Sequence, residues 1–241
     1  MNNIDFTNPH TYRSFLNNIN VWNTYYKTER PGPTGIGKTW ETLNQVDENN
    51  STGSDLKGLE LKAKRATTKS PLSMFTLNPV CSMGGPVIGR LVDEYGKPHR
   101  NRPNDLSLHK TMRVGEVKMP NGYMVELACD SAGLTLRDNS GATLAHWSVG
   151  ALSVGVKKIE TMALAYADVR GKGEDESFRY RSVIHYSGLN MDRFLDAMVA
   201  GFVVVEFRAA YNNGVLRDRG TGFRIAKKNL SRLYQNTHVI R

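Results

Sequence analysis

One stretch of the chain admits few local structures: Leu59-Glu60-Leu61-Lys62-Ala63-Lys64. Apolar and charged residues alternate there, which is the pattern of a half-buried strand. Leu59, Leu61 and Ala63 are expected to point into a core, and Glu60 and Lys62 to share the opposite face. Gly58 lets the chain bend just before the strand, and Asp55 stands on the far side of that bend. Two carboxylates and an amine are thus expected to meet at one end of a strand. Hard divalent cations take carboxylate oxygens, and a nearby ammonium can orient water or offset charge on a pentavalent phosphorus. Taken alone, a Glu-x-Lys pair is more often solvated surface, so the flanking sequence decides.

The 241 residues, 39% of them hydrophobic, suffice for one large domain, or for a domain with a small subdomain. The formal charge of +9 points to a polyanionic partner. The charge is uneven: residues 201–241 hold eight Lys/Arg against two Asp/Glu. No apolar run is long enough to span a bilayer, and the first ten residues lack the pattern of a signal peptide. Cys81 and Cys129 form no CxxC, which argues against a zinc site or a disulfide framework. A cytoplasmic protein with no membrane partner is expected.

Residues 9–26 read as a first helix, with Tyr12, Phe15, Leu16, Ile19 and Trp22 at helical spacing. Residues 32–39, GPTGIGKT, match the phosphate-loop pattern GxxxxGK[ST]. A working loop of that kind follows a buried apolar strand, and the preceding YYKTERP is no such strand. A helix is expected after it, with Ile36, Trp40, Leu43 and Val46 on one face and Glu41 on another. Glu41 is then either a surface carboxylate favoured near a helix N-terminus or a third carboxylate aimed at Asp55 and Glu60. The acceptor-like Asn50-Ser51-Thr52 carries no weight without a secretion signal.

Further on, Lys64, Arg65 and Lys69 form a basic stretch before a strand over residues 72–77. Residues 78–105 read as a long excursion, and 111–147 as short antiparallel strands turning at Gly122, Asp130, Gly133 and Asn139-Ser140-Gly141. Residues 159–169 read as a central strand and 177–186 as another. Residues 190–200 read as a helix burying Met191, Phe194, Leu195, Met198 and Val199, and 202–207 as a buried strand. Asn213-Gly214 signals a tight turn. Arg217, Asp218, Arg219 and Arg224 cluster just after it; arginine at a loop tip can reach guanine edges bidentately, although a surface ion-pair cluster has the same composition. Residues 227–234 read as a final basic helix.

Three blocks together resemble the MvaI/BcnI family of Type II restriction endonucleases, which is similar in its core to the mismatch-repair nickase MutH. They are residues 34–41 (TGIGKTWE), Asp55 through Lys62 as a D-x4-E-x-K signature, and residues 218–225 (DRGTGFRI). The resemblance implies an α/β (α+β) restriction-endonuclease-like core, with a central mixed sheet flanked by helices and DNA held between catalytic and recognition parts. It implies one nuclease domain over residues 1–241, with its catalytic core near 30–110 and 160–210 and recognition regions near 111–158 and 211–241. It implies Mg2+, with Mn2+ as a substitute, held by Asp55, Glu60, the Leu61 carbonyl and Glu41. Glu41, Asp55, Glu60 and Lys62 form the catalytic set. Arg217, Asp218, Arg219, Arg224, Lys38, Lys64, Arg65 and Lys69 are the expected DNA contacts. Cleavage one strand at a time at a short GC-rich, near-palindromic site is implied. So are a monomer, no nucleotide cofactor and a companion DNA methyltransferase. The family histidine before the Asp of the last block is replaced here by Arg217, which places the target sequence in question. The alternatives are a MutH-like nicking enzyme, a P-loop NTPase and a non-cleaving DNA-binding protein.

Overall fold

The computed structural model describes residues 4–46, 53–81 and 86–241; Asn50-Ser51-Thr52 lies outside them. The chain forms two compact units. The first comprises Met1–Ser70, Lys157–Asn190 and Tyr234–Arg241, and the second Pro71–Val156 and Met191–Leu233. Residues 71–110 and 191–210 fall in the second unit.

The first unit is built on a mixed sheet. Its central strand is Met162–Arg170, whose residues 162–167 are all buried, as a strand covered on both faces requires. It pairs antiparallel with Ser177–Ser187 and parallel with Glu60–Arg65. Ser177–Ser187 also pairs with the short strands Tyr26–Lys27 and Asn236–Val239. The period-two pattern places Leu59 and Leu61 in one apolar cluster with Ala163, Ala165, Phe178 and Tyr180. Helices Pro9–Asn18 and Gly35–Leu43 contribute Tyr12, Leu16, Ile36 and Trp40 to that cluster.

The first helix is shorter than its apolar spacing predicts. It stops at Asn18, and Asn20 takes a left-handed φ of 50°. Trp22 Nε1 donates to Asn17 Oδ1 at 3.0 Å, so Val21 and Trp22 reach the core from a turn and not from a helix. A helical spacing of apolar residues survives here without a helix, because Asn competes for backbone hydrogen bonds and tolerates the left-handed region.

The second unit holds two antiparallel sheets. One has the order Leu72–Thr76, Gly222–Ile225, Val203–Asn212, Arg102–Met112, Lys97–His99, with Val215–Asp218 also on Val203–Asn212. The other is a meander of Gly115–Lys118, Met124–Asp130, Gly133–Asp138 and Thr143–Ser148. Asn213 and Gly214 make the expected hairpin turn with φ of 51° and 74°. The 78–105 excursion is largely structured: it contains helix Val87–Tyr95, which buries Val87, Ile88, Leu91 and Val92. Helix Val149–Lys158 was hidden by its glycines and valines, which are weak helix formers. Its Gly155 packs so tightly on the Phe75 ring that an added Cβ would lie 2.5 Å from the ring. Helix Met191–Val199 forms as expected, but Val199 is 62% exposed. The final basic segment is a 3-10 turn, Lys227–Asn229, followed by one helical turn, Leu230–Leu233.

Arg65 fastens the first unit from within. Its Nη2 lies 2.8 Å from both oxygens of the buried Glu176 and 3.4 Å from the Gly32 carbonyl, and its guanidinium stacks 5.7 Å over the Phe178 ring. Removing one partner of a buried pair strands the other charge. Arg65→Met is therefore expected to lower unfolding free energy by about 2–3 kcal/mol, and Arg65→Met/Glu176→Gln to recover part of that loss. Equilibrium urea denaturation of the three proteins reads both values.

Candidate active site

The backbone around Gly58 decides where the carboxylates go. Leu56 N donates to Leu59 O at 2.9 Å across Lys57-Gly58, and Leu59 N returns a bond to Leu56 O. Gly58 takes φ of 91°, which costs glycine little, and its N–H donates to Ser54 Oγ at 2.8 Å. The turn folds Asp55 back onto the start of the strand, where its Oδ2 accepts from Leu61 N at 2.9 Å.

Glu60 is 1% exposed, so the Glu60 face of the strand is not a solvated surface. Its Oε1 accepts from Lys62 Nζ. Its Oε2 has no hydrogen-bond partner among the described residues and lies 3.7 Å from Lys158 Nζ. Burial raises the Glu60 pKa above the ordinary carboxylate value; Lys62 and Lys158 act against that rise, and Asp55 adds to it. Lys158 closes the helix Val149–Lys158 and was not singled out in the sequence. The one available signal was a basic pair, Lys157-Lys158, standing just before the strand Met162–Arg170.

Glu41 reaches the same place from the helix Gly35–Leu43. Ile36 and Trp40 anchor that helix: the Trp40 and Tyr180 rings are 4.6 Å apart, and Tyr180 Oη donates to Ile36 O at 2.8 Å. Glu41 is half-buried. Burial raises its pKa first and the charge of Asp55 second, while Lys38, Lys62 and Arg30 lower it. Three carboxylates, Glu41, Asp55 and Glu60, and three lysines, Lys38, Lys62 and Lys158, thus meet in one electrostatic cluster of the first unit.

Among the described residues, no three His, Cys, Asp or Glu side chains close a metal cage by themselves. The donor set fits a cation that needs less. Mg2+ is typically held by one or two carboxylates, with water and phosphate oxygens completing its shell. A buried Glu60 oxygen without a hydrogen bond, beside Asp55, offers that kind of incomplete anionic site.

The phosphate-loop match has a different structure from the one its pattern implies. The strand before it, Tyr26–Lys27, is a two-residue edge strand. The helix begins inside the motif, at Gly35. Thr39, the residue that a phosphate loop would turn toward a metal, is 2% exposed, and its Oγ1 accepts from Glu29 N at 3.1 Å.

The expected DNA contacts divide sharply. Arg65 is held by Glu176 as above. Lys64 is buried and donates to the Ser70 carbonyl. In the second unit Arg224 is bound to Glu206 at 2.5 and 2.7 Å and to the Pro71 carbonyl at 3.0 Å. Asp218 accepts from Asn78 Nδ2 at 2.7 Å and from Gly220 N at 2.8 Å, which shapes the turn. Each of these four residues has an internal partner in the DNA-free protein. Lys38 is half-buried near Glu41, and Lys69 is exposed. Arg217 and Arg219 are exposed, and no carboxylate among the described residues engages them. They line a cavity of about 330 Å³ in the second unit together with His99, His109 and Arg208. Burial lowers the His109 pKa, and Arg219, His99 and Arg208 lower it further.

The model of the MvaI/BcnI restriction endonuclease family matches residues 16–234. The chain belongs to the MvaI/BcnI restriction endonuclease family. It is accordingly a Type II site-specific deoxyribonuclease. Its fold is similar to that of restriction endonuclease MvaI with cognate DNA substrate, with a TM-score of 0.78 at 24% identity, covering 97% of this chain and 98% of that one. It is also similar to MvaI in the absence of DNA, with a TM-score of 0.58 at 23% identity over 100% of both chains. No curated protein sequence matches significantly. Enzymes of this family generally use divalent metal ions. No helix among the described residues is long and apolar enough to cross a membrane.

The raised pKa of Glu41 fixes the sign of a pH effect. A carboxyl whose pKa is higher in the folded state favours folding below its unfolded value and loses that contribution as pH rises through the folded value. Ionised Glu41 therefore destabilises the metal-free family fold at neutral and alkaline pH. Glu41→Gln is expected to raise the Tm of the metal-free protein at about pH 8, with the gain vanishing below about pH 4.5. Thermal melts in EDTA across that range read it.

Proposed function

We propose that this family member hydrolyses phosphodiesters of double-stranded DNA with Mg2+, which Mn2+ can replace, leaving 5′-phosphate and 3′-hydroxyl ends. The target is a short GC-rich, near-palindromic site, cut one strand at a time by a monomer, with a companion methyltransferase shielding the host's own sites. The observation that carries the reading is the convergence of Asp55, Glu60 and Lys62 at one strand end, with Glu41 within electrostatic reach. The MvaI complex with cognate DNA supports DNA as the substrate.

Asp55, Glu60 and the Leu61 carbonyl would hold the cation, with Glu41 binding or supporting it. When bound, it supplies charge neutralisation at the phosphate and a lowered pKa for attacking water. The chain's own part is positional. Leu61 N–H orients Asp55. Lys62 donates to Glu60 Oε1 in the DNA-free protein and orients the attacking water when substrate is bound. Burial keeps bulk water from Glu60, which strengthens every charge interaction around it.

In the second unit, Arg217 and Arg219 face bases, and neutral His109 adds one donor and one acceptor beside groups that only donate. Lys69 contacts phosphate. The arginine at position 217 changes what this position can read relative to the family histidine.

Digestion of unmethylated plasmid or phage DNA, with the ends sequenced, tests the reading. Discrete fragments that require Mg2+, withstand added ATP unchanged and disappear in EDTA are expected. Lys62→Ala should cut about two to three orders of magnitude more slowly while binding DNA normally in a gel shift. Cutting at the wild-type rate by Lys62→Ala would remove that residue from the mechanism. Cleavage that depends on ATP would bring back the phosphate-loop reading.

The two classes of DNA contact separate in a second experiment. Arg219→Ala is expected to cost about 1–3 kcal/mol of discrimination at one base position and to relax cutting there. Lys69→Ala should weaken binding evenly across sequences and reduce the salt slope by about one. Equal effects of both variants on cognate and non-cognate duplexes would show that Arg219 reads no base.

A further inference from the structure

The two oxygens of Glu60 are treated differently by the fold. Oε1 is hydrogen-bonded to Lys62. Oε2 is buried, has no hydrogen bond among the described residues, and faces Lys158 Nζ across 3.7 Å. A structural ion pair built for stability closes to about 2.7–2.9 Å, where the charge-assisted hydrogen bond forms. The Lys158 pair stops short of that distance. It offsets charge without using up the lone pairs of Oε2.

The location of Lys158 suits a charge that can withdraw. It is the last residue of the helix Val149–Lys158, where a cation is favoured by the negative end of the helix dipole. Its side chain is 27% exposed, against 2% for that of Glu60, so the ammonium has solvent to retreat into. Lys62, by contrast, is committed to Oε1 and has a role in the reaction proposed above.

We propose that Lys158 is a positioning residue that serves as resident counter-cation of Glu60 Oε2 and is displaced by the divalent metal ion. The proposal rests on the Asp55/Glu60 metal site of the preceding section. In the metal-free protein, Lys158 holds the carboxylate ionised and oriented within its buried setting. Lys158 would give up Oε2 to a divalent cation, whose charge is twice its own, and its ammonium would swing outward into solvent. The residue thereby sets how much metal the enzyme needs: it competes with the cation and does not bind it.

This sign separates the proposal from other roles for the same lysine. A lysine that merely supported the fold would, on removal, leave metal affinity unchanged or weakened. Calorimetric titration of Ca2+ into the DNA-free, full-length protein is the test. Lys158→Met and Lys158→Gln should bind Ca2+ about three- to tenfold more tightly than wild type, since a like charge beside the site is gone. Lys158→Arg, which keeps the charge, should stay near wild type. The Mg2+ concentration for half-maximal cleavage should fall in parallel for the two neutral variants. Unchanged or weaker Ca2+ binding in both neutral variants, each melting cooperatively, would overturn the assignment. Glu60→Gln is the control for the underlying site: if it binds Ca2+ as well as wild type, the metal-site reading itself fails, whatever the Lys158 variants do.

Discussion

Everything in the first unit bends to one requirement: a carboxylate, Glu60, is kept ionisable in a place from which water is excluded. Burying such a charge is expensive unless it is paired. The fold forces the burial by backbone means. Glu60 is the first residue of its strand, opposite Met162 in a parallel ladder with a strand whose residues 162–167 are all buried. Leu59 and Leu61 on either side are locked into the core, so the intervening side chain has no freedom to leave. The compensation is incomplete, since Lys62 bonds one oxygen and Lys158 only approaches the other. Burial raises the Glu60 pKa in spite of both lysines, and a divalent cation is the kind of group that would offset that cost.

The same logic explains why Glu41 sits on a helix with so strong an anchor. Burial, and after it the charge of Asp55, disfavours ionised Glu41. The helix is held there by Trp40 and Ile36 packed in the core, by the Tyr180 hydroxyl on the Ile36 carbonyl, and by Asn44, which donates to Trp40 O at 2.8 Å and accepts from Tyr12 at 2.7 Å. Alanines at 163, 165 and 167 keep the facing strand low, leaving room for the bulky rings. Packing thus holds Glu41 in a place where burial and the neighbouring Asp55 disfavour its charge and Lys38, Lys62 and Arg30 only offset that cost, a common condition of sites built for catalysis.

Much of this was legible in the chain. The alternation at 59–64, the apolar run at 162–167 and the Asn-Gly turn at 213–214 each name their own conformation, because side-chain period and φ preference are local properties. Glu60 and Lys62 were expected on one face, and they are. What could not be read was the depth of that face: a period of two tells which residues share a side, and burial depends on what another segment lays over it. Lys158 was invisible for the same reason, being brought to Glu60 from almost a hundred residues away in the sequence by the last turn of a helix that glycines and valines disguised. The overlong first helix failed where a helical spacing met a run of asparagines.

Arginine is the residue for which sequence alone is least informative. Arg65, Arg217, Arg219 and Arg224 look alike as candidates for an anionic partner, yet two of them already have one. Glu176 and Glu206 bind Arg65 and Arg224 at hydrogen-bonding distance, and backbone carbonyls take further donors. Guanidinium has five donors and prefers planar, bidentate acceptors, so a carboxylate within the fold holds it as firmly as a guanine edge would. Among the described residues, no carboxylate engages Arg217 or Arg219, which stand on either side of an aspartate that is itself occupied by Asn78 and Gly220. The GPTGIGKT segment follows the same rule: its Thr39 hydroxyl is spent on Glu29 N–H inside the fold. In both cases the residue types set which chemistries are available, and internal hydrogen bonds set which of them remain free for a substrate.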